Sequence, residues 1–554
     1  MSEKILVAVA WPYANGPLHI GHIAGAYLPA DIFARFHRIK GNDVLMISGS
    51  DQHGTPITLR AEQEGTTPQE VASRYHQDFL SCWERFGITF DLFTSTSTTN
   101  HARVVHQLFS KLEDKGYIYA DSMSLPYCPN CQRHLPDRYV RGTCPHCSFE
   151  EARGDQCDNC GKPLNPIDLI DARCQICSTS AELRSSDHLF FRLSAFRDQL
   201  LEWTKRQTHW RQNVLNFTVR YLEEGLKDRA ITRDISWGVP VPKAGFDDKR
   251  IYVWFEAVIG YLSASQEWAK LKNDEDAWKP FWGEQVKSYY FIGKDNIPFH
   301  TLIWPSMLMG VGELALPYDV PANEFLNIEG RQLSTSRNWA IWLGDYLDRY
   351  DPEPLRYALS INMPETGDTD FSWHEFVRRN NDELLATYGN LVHRILTFTY
   401  RNFDKCIPTP SGLDDIDRRL LSETKAKFAT VDSALSRCQF REALRIAMGL
   451  AQQANRYLDD KAPWKAIKQD RQACANSLYV SLSVISNLRL LLYPFLPFSS
   501  QKLHSMLGFS GNVDECIWEY QELPTGQAMQ TPSPLFTKLD ESVVEEETNR
   551  LRGG

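Results

Sequence analysis

Apolar and polar positions in the first part of the chain alternate between short apolar runs and longer amphipathic stretches. An apolar run over residues 5–10 predicts a β-strand, and a second run over residues 44–47 predicts another. Between them, residues 19–40 are predicted to form a helix that ends at Gly41, with a kink or a break at Pro29. A strand, a helix and a strand in this order are typical of a Rossmann-type parallel sheet.

The same α/β pattern resumes after a long interruption. Apolar runs at residues 252–255 and 289–293 predict two more strands, so residues 116–230 are predicted to be an insert within one domain. From about residue 373 to residue 507 apolar positions fall at helical spacing, which predicts a helical domain. Residues 541–554 are polar and acidic and are predicted to form a loosely held tail.

Composition and charge limit the classes of protein to which the chain can belong. Its 554 residues are too many for one hydrophobic core, and the net charge is −10. Because that charge repels phosphate, a nucleic-acid partner would have to be met by local basic faces. The sequence has no apolar stretch of about 18 residues and no signal peptide. We therefore expect a cytoplasmic protein that has no membrane partner.

Eight of the 13 cysteines form four Cys-x-x-Cys pairs inside the predicted insert. In a cytoplasmic chain this paired spacing favours metal over disulfide bonds, and free thiols are the remaining alternative. Because a tetrahedral Zn²⁺ ion takes four thiolates, the pairs predict two closed structural zinc sites. Spacing does not indicate which pairs share an ion. The candidate ligands are Cys128, Cys131, Cys144, Cys147, Cys157, Cys160, Cys174 and Cys177.

Two histidines stand where the first predicted strand passes into the following helix, in the segment His19-Ile20-Gly21-His22. Open α/β sheets bind ligands at this place, and helix N-termini favour anions. Two imidazoles three residues apart can both donate hydrogen bonds to phosphate oxygens, and Gly21 would leave a flat surface for an adenine. The alternative for these four residues alone is a pair of helix-terminal histidines that bind no ligand.

Longer segments carry a family resemblance. Residues 12–22, Pro-Tyr-Ala-Asn-Gly-Pro-Leu-His-Ile-Gly-His, resemble the opening of class I aminoacyl-tRNA synthetases, most closely the methionyl enzymes. Residues 50–56, 252–257 and 291–300 resemble further segments of that family in the same order. The resemblance extends from Ile5 to about residue 546.

The resemblance implies an enzyme that forms methionyl-adenylate from L-methionine and Mg²⁺-bound ATP. The methionyl group is then transferred to the 2′-hydroxyl of the 3′-terminal adenosine of tRNA(Met). Charge builds up on the phosphoryl oxygens during activation, so fixed donors act mainly on the transition state. The implied catalytic residues are His19, His22 and Arg233. The implied ATP-binding residues are His19, Gly21, His22, Lys294, Asp295, Ser334, Thr335 and Ser336.

The methionine site is also implied by the resemblance. Asp51 corresponds to the carboxylate that receives the ammonium group, and Arg233 lies near the substrate carboxylate. Aromatic walls suit a thioether, which gains roughly 0.3–1.5 kcal/mol per sulfur–aromatic contact. Val258 stands where the family often has proline, so one edge of the pocket is expected to differ. The implied residues are Ala10, Trp11, Tyr13, Asp51, Trp254, Ala257, Tyr261 and His300.

The second nucleotide motif departs from the family. The family carries Lys-Met-Ser-Lys-Ser or a close variant, whereas this chain has Gln332-Leu333-Ser334-Thr335-Ser336 and so lacks both lysines. A charge-assisted hydrogen bond contributes roughly 1.5–3 kcal/mol, which corresponds to about 10- to 100-fold in rate if it is felt only in the transition state. The flanking Arg331 or Arg337, or Mg²⁺ on the pyrophosphate, would compensate. A polar surface turn is the alternative.

The resemblance extends to the insert and the helical domain. It implies nested zinc sites, in which the inner two cysteine pairs bind one ion and the outer two bind the other. It also implies that Asn390, Arg394 and Trp464 read the anticodon, with the indole ring stacked on an unpaired base. We expect a monomer.

The predicted fold is a Rossmann-type parallel-sheet catalytic domain, split by a zinc-knuckle insert and followed by an α-helical bundle. The predicted divisions are residues 1–115 and 231–322 (catalytic domain), 116–230 (insert), 323–377 (linking region), 378–540 (anticodon-binding domain) and 541–554 (acidic tail).

Two other functions compete with this one. Synthetases for leucine, isoleucine or valine resemble the first motif, but they need a large hydrolytic insert, and the insert here is short. A catalytically weakened or inactive paralogue that acts as an RNA-binding or regulatory protein is suggested only by the altered residues 332–336. The presence of His19, His22, Asp51 and Asp295 favours an active enzyme.

Overall fold

The fold is described here from a computed structural model, and the described residues are 2–154, 157, 159–160, 162, 164–335 and 338–553. Five parallel strands form the main sheet. Their spatial order is Ala322–Asn323, Lys287–Gly293, Lys4–Val9, Asp43–Ser50 and Leu92–Ser95. The chain builds one side of the sheet first and then returns to build the other, so the strand order reverses at the central first strand. Such a reversal opens a crevice at the carboxyl end of that strand.

The central strand is buried on both faces of the sheet. Leu6 and Ala8 pack into one core, while Ile5, Val7 and Val9 pack into another. Burial on both faces explains why this segment is a continuous apolar run instead of an alternating pattern. The strands predicted at residues 5–10, 44–47 and 289–293 are confirmed.

The helix predicted at residues 19–40 is present, but it is not uniform. It consists of Ile20–His22, a π-helical turn at Ile23–Tyr27 and the α-helix Leu28–Ile39. Pro29 is the second residue of the last segment and follows helical residues directly, so its missing N–H falls inside a continuous helical stretch. The predicted interruption is therefore the π turn before Pro29. The other helices of this half are Thr55–Glu64, Pro68–Phe86 and Thr99–Asp114.

The insert is built on a long antiparallel hairpin between Ile118–Cys128 and Glu182–Phe191. The cysteine pairs lie at and beyond its end. The smaller strands are Arg133–His134, Val140–Thr143, Ala152–Arg153, Ile170–Cys174 and Arg229–Ala230, and the α-helices are Arg197–Lys205 and Gln212–Glu224.

The prediction of a strand at residues 252–255 is wrong. These residues belong to the helix Val253–Glu256, which follows a short antiparallel pair of strands, Thr232–Arg233 and Arg250–Ile251. An apolar run of four residues is too short for its periodicity to distinguish a strand from a helix. The chain continues through the helices Gly260–Leu271 and Trp304–Val311, with a π-helical turn at Phe299–Ile303.

A linking region and a helical domain complete the chain. The linking region has a three-stranded sheet, Leu326–Ile328, Arg331–Gln332 and Thr369–Phe371, and the helices Leu343–Leu347 and Pro352–Ile361. The α-helices of the helical part are Trp373–Arg378, Asn390–Asn402, Asp415–Ser436, Phe440–Lys461, Pro463–Ala466, Arg471–Leu492 and Pro497–Met506. A π-helical segment, Arg379–Gly389, joins the first two.

The prediction of a loosely held tail at residues 541–554 is wrong. Ser542–Gly553 is a helix that buries Val543, Glu547 and Leu551. These residues are four apart and therefore share one face, which packs on the helix Trp373–Arg378. Glu547 accepts hydrogen bonds from Arg349 at 3.0 Å and from the Tyr350 hydroxyl at 2.9 Å. Within the described residues, no helix is long and apolar enough to cross a membrane.

Candidate active site

The loops after the first two strands are joined to each other at the crevice. Ala14 donates a backbone hydrogen bond to Asp51 O at 2.8 Å, and Asp51 donates one to Pro12 O at 2.8 Å. The first loop also contacts the segment after residue 340, because Ile20 N donates to Ile341 O at 3.0 Å. Backbone pairing therefore holds the first motif beside Asp51 and the linking region.

His19 and His22 stack on each other at the start of the helix. Their ring centroids are 3.7 Å apart, and the rings are inclined by 21°. The backbone N–H of His19 donates to Nδ1 of His22 at 3.2 Å, so the proton of a neutral His22 ring is on Nε2. Burial lowers the pKa of His22 to about 4. Burial, and then the neighbouring ring of His22, lower the pKa of His19 as well.

The surface of Gly21 is covered, in contrast to the flat open surface that the sequence predicted. A methyl group on Gly21 would come within 2.6 Å of Cδ1 of Leu333, which belongs to the second motif. The loop around Leu333 is fixed because Ser334 N donates to Trp339 O at 3.0 Å and Trp339 N donates to Ser334 O at 2.9 Å. In this conformation the two nucleotide motifs touch, and an adenine at Gly21 requires Leu333 to move.

The second motif lies at an exposed turn. Gln332 ends the short strand Arg331–Gln332, and both Gln332 and Thr335 are exposed. The guanidinium of Arg331 lies 5.0 Å from the ring centroid of Trp339. Ser336 and Arg337, which the sequence linked to ATP binding and to charge compensation, lie outside the described residues.

The side chains that the resemblance linked to methionine come together from three segments in one largely aromatic cluster. Trp254 donates its indole N–H to the Tyr13 hydroxyl at 2.5 Å and packs edge-on against Phe299 at 4.7 Å. Trp11 fits against two glycines, since a methyl group on Gly49 or Gly260 would come within 2.5 or 2.8 Å of its ring. The Ala10 carbonyl accepts a hydrogen bond from the Tyr27 hydroxyl at 2.9 Å.

Tyr261 and His300 form a neutral polar pair beside this cluster. His300 Nδ1 donates to Asn296 O at 2.9 Å, so its Nε2 accepts from the Tyr261 hydroxyl at 2.7 Å. Burial lowers the pKa of His300 to about 4, which keeps the ring uncharged. Both side chains are buried, and Ala257 stands one helical turn before Tyr261.

Asp51 is a buried carboxylate, and no cationic side chain among the described residues pairs with it. Its side chain accepts only the His53 N–H, at 3.3 Å. Burial, and then the charge of Glu256, raise the pKa of Asp51 well above its usual value. A buried carboxylate without a partner is costly, so this position is suited to a ligand cation.

A buried cluster that the sequence did not predict lies beneath Asp51. Glu256 is fully buried and accepts hydrogen bonds from His53, at 2.7 Å, and from His101. Burial alone would raise the pKa of Glu256, but the two imidazoles lower it to about 2. His101 also contacts the Ser263 hydroxyl at 2.9 Å. In the sequence, the only sign of this cluster was that three titratable residues stand within apolar segments or motifs.

Arg233 is close to the pocket. Its guanidinium lies over the Tyr252 ring, 3.5 Å from the centroid, and the rings of Tyr252 and Trp254 are 5.4 Å apart. Nη1 donates to the carbonyls of Ala230 and Thr232, each at 3.0 Å. Nε donates to Asp137 Oδ2 at 3.3 Å. The sequence did not predict a role for Asp137.

Lys294 and Asp295 follow the strand Lys287–Gly293. The ammonium of Lys294 is bound by Glu324 and Asp368, each at 2.7 Å, so its charge is already compensated. Asp295 is exposed, and its Oδ1 accepts a hydrogen bond from Asn296 Nδ2 at 3.3 Å. The structure thus leaves Asp295 accessible to a ligand hydroxyl and holds Lys294 with carboxylates.

The cysteines come together in the nested arrangement that the resemblance implied. The outer group is Cys128, Cys131, Cys174 and Cys177, and the inner group is Cys144, Cys147, Cys157 and Cys160; in each, the sulfurs lie within 4.8 Å of one another. Zn–S bonds of about 2.3 Å in a tetrahedron place sulfurs about 3.8 Å apart. Five Sγ–Sγ distances within these groups, from 3.4 to 3.9 Å, agree with that geometry. Both groups therefore fit Zn²⁺.

The predicted anticodon residues lie together on the helical domain. Arg394 donates to Asn455 Oδ1 at 3.0 Å, and its guanidinium lies 5.9 Å from the ring centroid of Trp464. Trp464 is 39% exposed, which is unusual for so large an apolar ring. Asn390 is exposed one turn before Arg394 on the same helix.

Comparisons with known proteins agree with this geometry. Residues 5–396 match the family described as tRNA synthetases class I (M), and residues 407–554 match the anticodon binding domain of methionyl tRNA ligase. The methionine–tRNA ligase of Dehalococcoides mccartyi strain 195 is 60% identical over 551 residues, covering 100% of both chains. That of Thermomicrobium roseum is 52% identical, covering 100% of this chain and 99% of the relative.

A solved structure supports the same assignment. The Mycobacterium tuberculosis methionyl-tRNA synthetase in complex with methionyl-adenylate is 26% identical, with a TM-score of 0.80, over 97% of this chain and 100% of that chain. The parallel sheet, the nested cysteine groups and the exposed Trp464 thus occur in a chain whose relatives have one activity over their full length. The chain belongs to the methionyl-tRNA synthetases of class I.

Proposed function

We propose that the crevice at the end of the first strand is where this methionine–tRNA ligase forms methionyl-adenylate, and we assign roles to its residues. The observation that carries the assignment is the position of the His19–His22 pair. It lies at a helix N-terminus on the same loop as Trp11 and Tyr13. Hydrogen-bond donors for a phosphate are therefore adjacent to an aromatic pocket.

The histidines act on ATP as neutral hydrogen-bond donors. Because burial keeps both imidazoles uncharged at neutral pH, each contributes one N–H and no fixed positive charge. For His22 that donor is Nε2–H, since Nδ1 is engaged by the His19 backbone. A preorganised donor stabilises the phosphoryl oxygens as the methionine carboxylate attacks the α-phosphate. No protein nucleophile is required.

The remaining pocket groups orient methionine. Asp51 receives the α-ammonium group, which supplies the cation that this buried carboxylate lacks. Arg233 binds the α-carboxylate and directs it toward the phosphate. The uncharged Tyr261–His300 pair, together with Trp254, accommodates a thioether, whereas a charged side chain would be desolvated there without a partner.

Mg²⁺ and the second motif are proposed to share the stabilisation of the pyrophosphate. Gln332 and Thr335 supply hydrogen bonds without charge, so Mg²⁺ on the substrate carries more of the compensation than in a relative with lysines there. Ser334, Ser336 and Asp295 are proposed ATP contacts. Because Glu324 and Asp368 already bind the Lys294 ammonium, we propose that Lys294 contacts ATP only after the nucleotide has replaced one of these carboxylates.

Zinc in the two cysteine groups is proposed to be structural. Zn²⁺ would cross-link the strands of the insert, and four thiolates at each ion leave no position for a substrate. On the helical domain, Trp464, Arg394 and Asn390 are proposed to bind the anticodon of tRNA(Met). We also propose a monomer and retain the predicted domain divisions, except that the last 14 residues form part of the helical domain.

Methionine-dependent exchange between ATP and labelled pyrophosphate tests the activation site. His22→Ala is expected to lower kcat by about 10²–10³-fold, because a transition-state donor is lost. Zinc content and the circular dichroism spectrum should be unchanged. Arg445→Ala, which changes an exposed residue of the helical domain, is the control and should exchange normally. Unchanged exchange by His22→Ala would refute the assigned phosphate site.

The competing functions have no support from these findings. Full-length identity of 60% to a methionine–tRNA ligase gives no support to an inactive RNA-binding paralogue. The synthetases for leucine, isoleucine and valine are separate families, and residues 5–396 match the methionyl family.

A further inference from the structure

The helix of the first motif contains a buried carbonyl that lacks the usual helical donor. In the π turn Ile23–Tyr27, the N–H of Leu28 donates to Ile23 O, five residues earlier. The same spacing would pair Ala24 O with the N–H of the next residue, but that residue is Pro29, which has none. Ala24 is buried, and a buried carbonyl without a donor costs free energy. Its donor therefore has to come from another part of the chain.

Asn323 supplies this donor. Its amide Nδ2 donates to Ala24 O at 2.8 Å, and Asn323 is itself buried. Asn323 ends the edge strand of the main sheet, where it stands beside Gly293 in the parallel register. The contact thus joins the edge of the sheet to the π turn, two residues after His22.

Arg211, a residue of the insert, determines which way the amide points. Asn323 Oδ1 accepts from Arg211 Nη1 at 2.6 Å, and a guanidinium only donates, so Nδ2 is the atom left to face the π turn. The same Nη1 donates to Ala322 O at 3.1 Å, and Nη2 donates to Cys438 O at 3.0 Å. Cys438 precedes the helix Phe440–Lys461 of the helical domain. The insert, the sheet and the helical domain therefore meet at one guanidinium.

The π turn is held on a second side as well. The hydroxyl of Tyr27, at the end of the turn, donates to Ala10 O at 2.9 Å in the first loop of the crevice. The turn follows Ile20–His22 without a break, so the histidines stand at the start of one continuous helix. The contacts of Asn323 and Tyr27 together constrain the position of this helix start, and with it the position of the His22 ring.

We propose that Asn323 is a positioning residue for methionine activation, whose amide supplies the donor that Pro29 lacks and so holds His22 toward the α-phosphate. Arg211 keeps the amide in the required orientation. The inference rests on the proposed action of His22 on ATP. It gives the insert and the helical domain a part in placing the first nucleotide motif, because both contact Arg211.

The test uses a variant of nearly the same shape. Asn323→Asp still accepts from Arg211, but it presents an oxygen to Ala24 O in place of the donor. A displacement of about 1 Å at a reacting group costs up to about 100-fold in rate, so kcat of methionine-dependent pyrophosphate exchange should fall by about 10- to 100-fold. Isothermal titration calorimetry without ATP should show a change in Kd for L-methionine of less than about twofold, because the lost interaction acts in the transition state.

A double-mutant cycle shows whether Asn323 acts through His22. In the His22→Ala background, Asn323→Asp should lower kcat by less than about threefold, because the donor that it positions is already gone. Arg211→Met provides a second route to the same effect. It leaves the Asn323 amide without the group that orients it, and kcat should fall in the same direction but less.

The matched control disturbs the same contact between domains without touching Asn323. Glu365 is a buried carboxylate of the linking region that accepts the N–H of Arg441, in the helix that follows Cys438, at 2.9 Å. Glu365→Gln should keep the kcat of the parent. Urea unfolding and zinc content are measured for every variant, so that loss of the fold is distinguished from loss of positioning.

Each outcome separates the inference from the function on which it rests. If His22→Ala exchanges as the parent does, the proposed phosphate site is wrong. If His22→Ala loses activity but Asn323→Asp or Arg211→Met keeps the parent kcat, His22 retains its role and the inference about Asn323 is overturned. It is also overturned if Asn323→Asp lowers kcat equally in both backgrounds, if methionine binding weakens in parallel, or if Glu365→Gln loses as much activity.

Discussion

Burial, more than any neighbouring charge, determines the protonation of the residues in the crevice. It is the largest cause of the lowered pKa of His19, His22 and His300, and of the raised pKa of Asp51. Burial acts in opposite directions on the two kinds of group because it always disfavours the charged form. Acidification should therefore affect the histidines and Asp51 in different ranges of pH.

The dependence of activation on pH is expected to divide between kcat and KM. His22, with a pKa of about 4, stays neutral as pH falls from about 8 to about 5.5, so kcat of pyrophosphate exchange should not show a step near 6.5. Asp51 has a raised pKa and gains its proton at higher pH than an ordinary aspartate. Its attraction for the ammonium group weakens accordingly, and KM for methionine should rise.

Exchange kinetics at a series of pH values, with methionine and ATP varied separately, provide the measurement. KM for ATP is the internal control, since Asp51 does not contact the nucleotide in this proposal. A fall in kcat centred near pH 6.5 would show that an imidazole with an ordinary pKa is required, contrary to the geometry.

Single residues whose role depends on distant partners could not be predicted from the sequence. The His19–Gly21–His22 segment could be predicted because its members are adjacent and stand at a strand-to-helix junction. Glu256 acquires its role from His53 and His101, which are 203 and 155 residues away. Asp137 likewise depends on a partner 96 residues away. No local pattern records such pairs.

At the scale of elements, apolar periodicity predicted the buried strands and the long helices, and it failed where it was short. Residues 252–255 were predicted to form a strand because the run is too short for a helical period to be recognised. Ser542–Gly553 is a helix, and Val543, Glu547 and Leu551 share its buried face, although the acidic surroundings of these residues suggested a tail. An acidic composition alone does not predict a loosely held tail, because one of the carboxylates, Glu547, is buried against Arg349 and Tyr350.

The second nucleotide motif is the element whose sequence departs most from the family. Gln332→Lys and Thr335→Lys each place a charge at an exposed position of this turn. A charge-assisted hydrogen bond of about 1.5–3 kcal/mol that is felt only in the transition state would raise kcat by about 10- to 100-fold. Burst kinetics of adenylate formation measure the effect, with Lys538→Gln, an exposed change far along the chain, as control. An unchanged kcat in both lysine variants would indicate that the loop does not approach the pyrophosphate.

The C-terminal helix offers a test of packing at the same scale. Glu547→Gln removes the charge that Arg349 and Tyr350 contact but keeps the shape of the side chain. Glu547 is buried and Arg349 is partly exposed, so the loss is expected to be about 1–3 kcal/mol of unfolding free energy. Urea unfolding measures it, and Glu545→Gln, on an exposed part of the same helix, is the matched control. Equal stability of the two variants would mean that the helix is held by Val543 and Leu551 alone.

At the scale of the whole molecule, the catalytic sheet and the helical domain share one hydrophobic core. The core that receives Ile5, Val7 and Val9 continues without interruption to Leu488 and Leu551. Within it lies a fully buried ion pair, in which Arg356 donates to Asp31 Oδ2 at 2.7 Å. This pair joins a helix of the sheet domain to the linking region across 325 positions of sequence. The sequence predicted both domains, but it gave no indication of this shared core.

Arg356 should be among the residues on which the joining of the two domains depends most. Besides Asp31, its guanidinium donates to Phe495 O at 2.8 Å and to Pro494 O at 3.1 Å, carbonyls that follow a long helix of the helical domain. In Arg356→Met these carbonyls lose a donor and Asp31 keeps only Arg35 as an ionic partner. Removing one partner of a buried ion pair costs about 3–5 kcal/mol, so the midpoint of urea unfolding should fall accordingly.

The matched control is Arg445→Met, in which the same change is made at an exposed pair with Glu442, where the expected effect is below about 1 kcal/mol. Arg356→Lys adds a further comparison, since an ammonium can retain Asp31 but cannot reach all the carbonyls at once. It should therefore lie between the parent and Arg356→Met. If Arg356→Met unfolds at the same urea concentration as the parent, apolar packing alone joins the domains. The buried ion pair would then contribute nothing to the stability of the contact, although it occupies the centre of that contact.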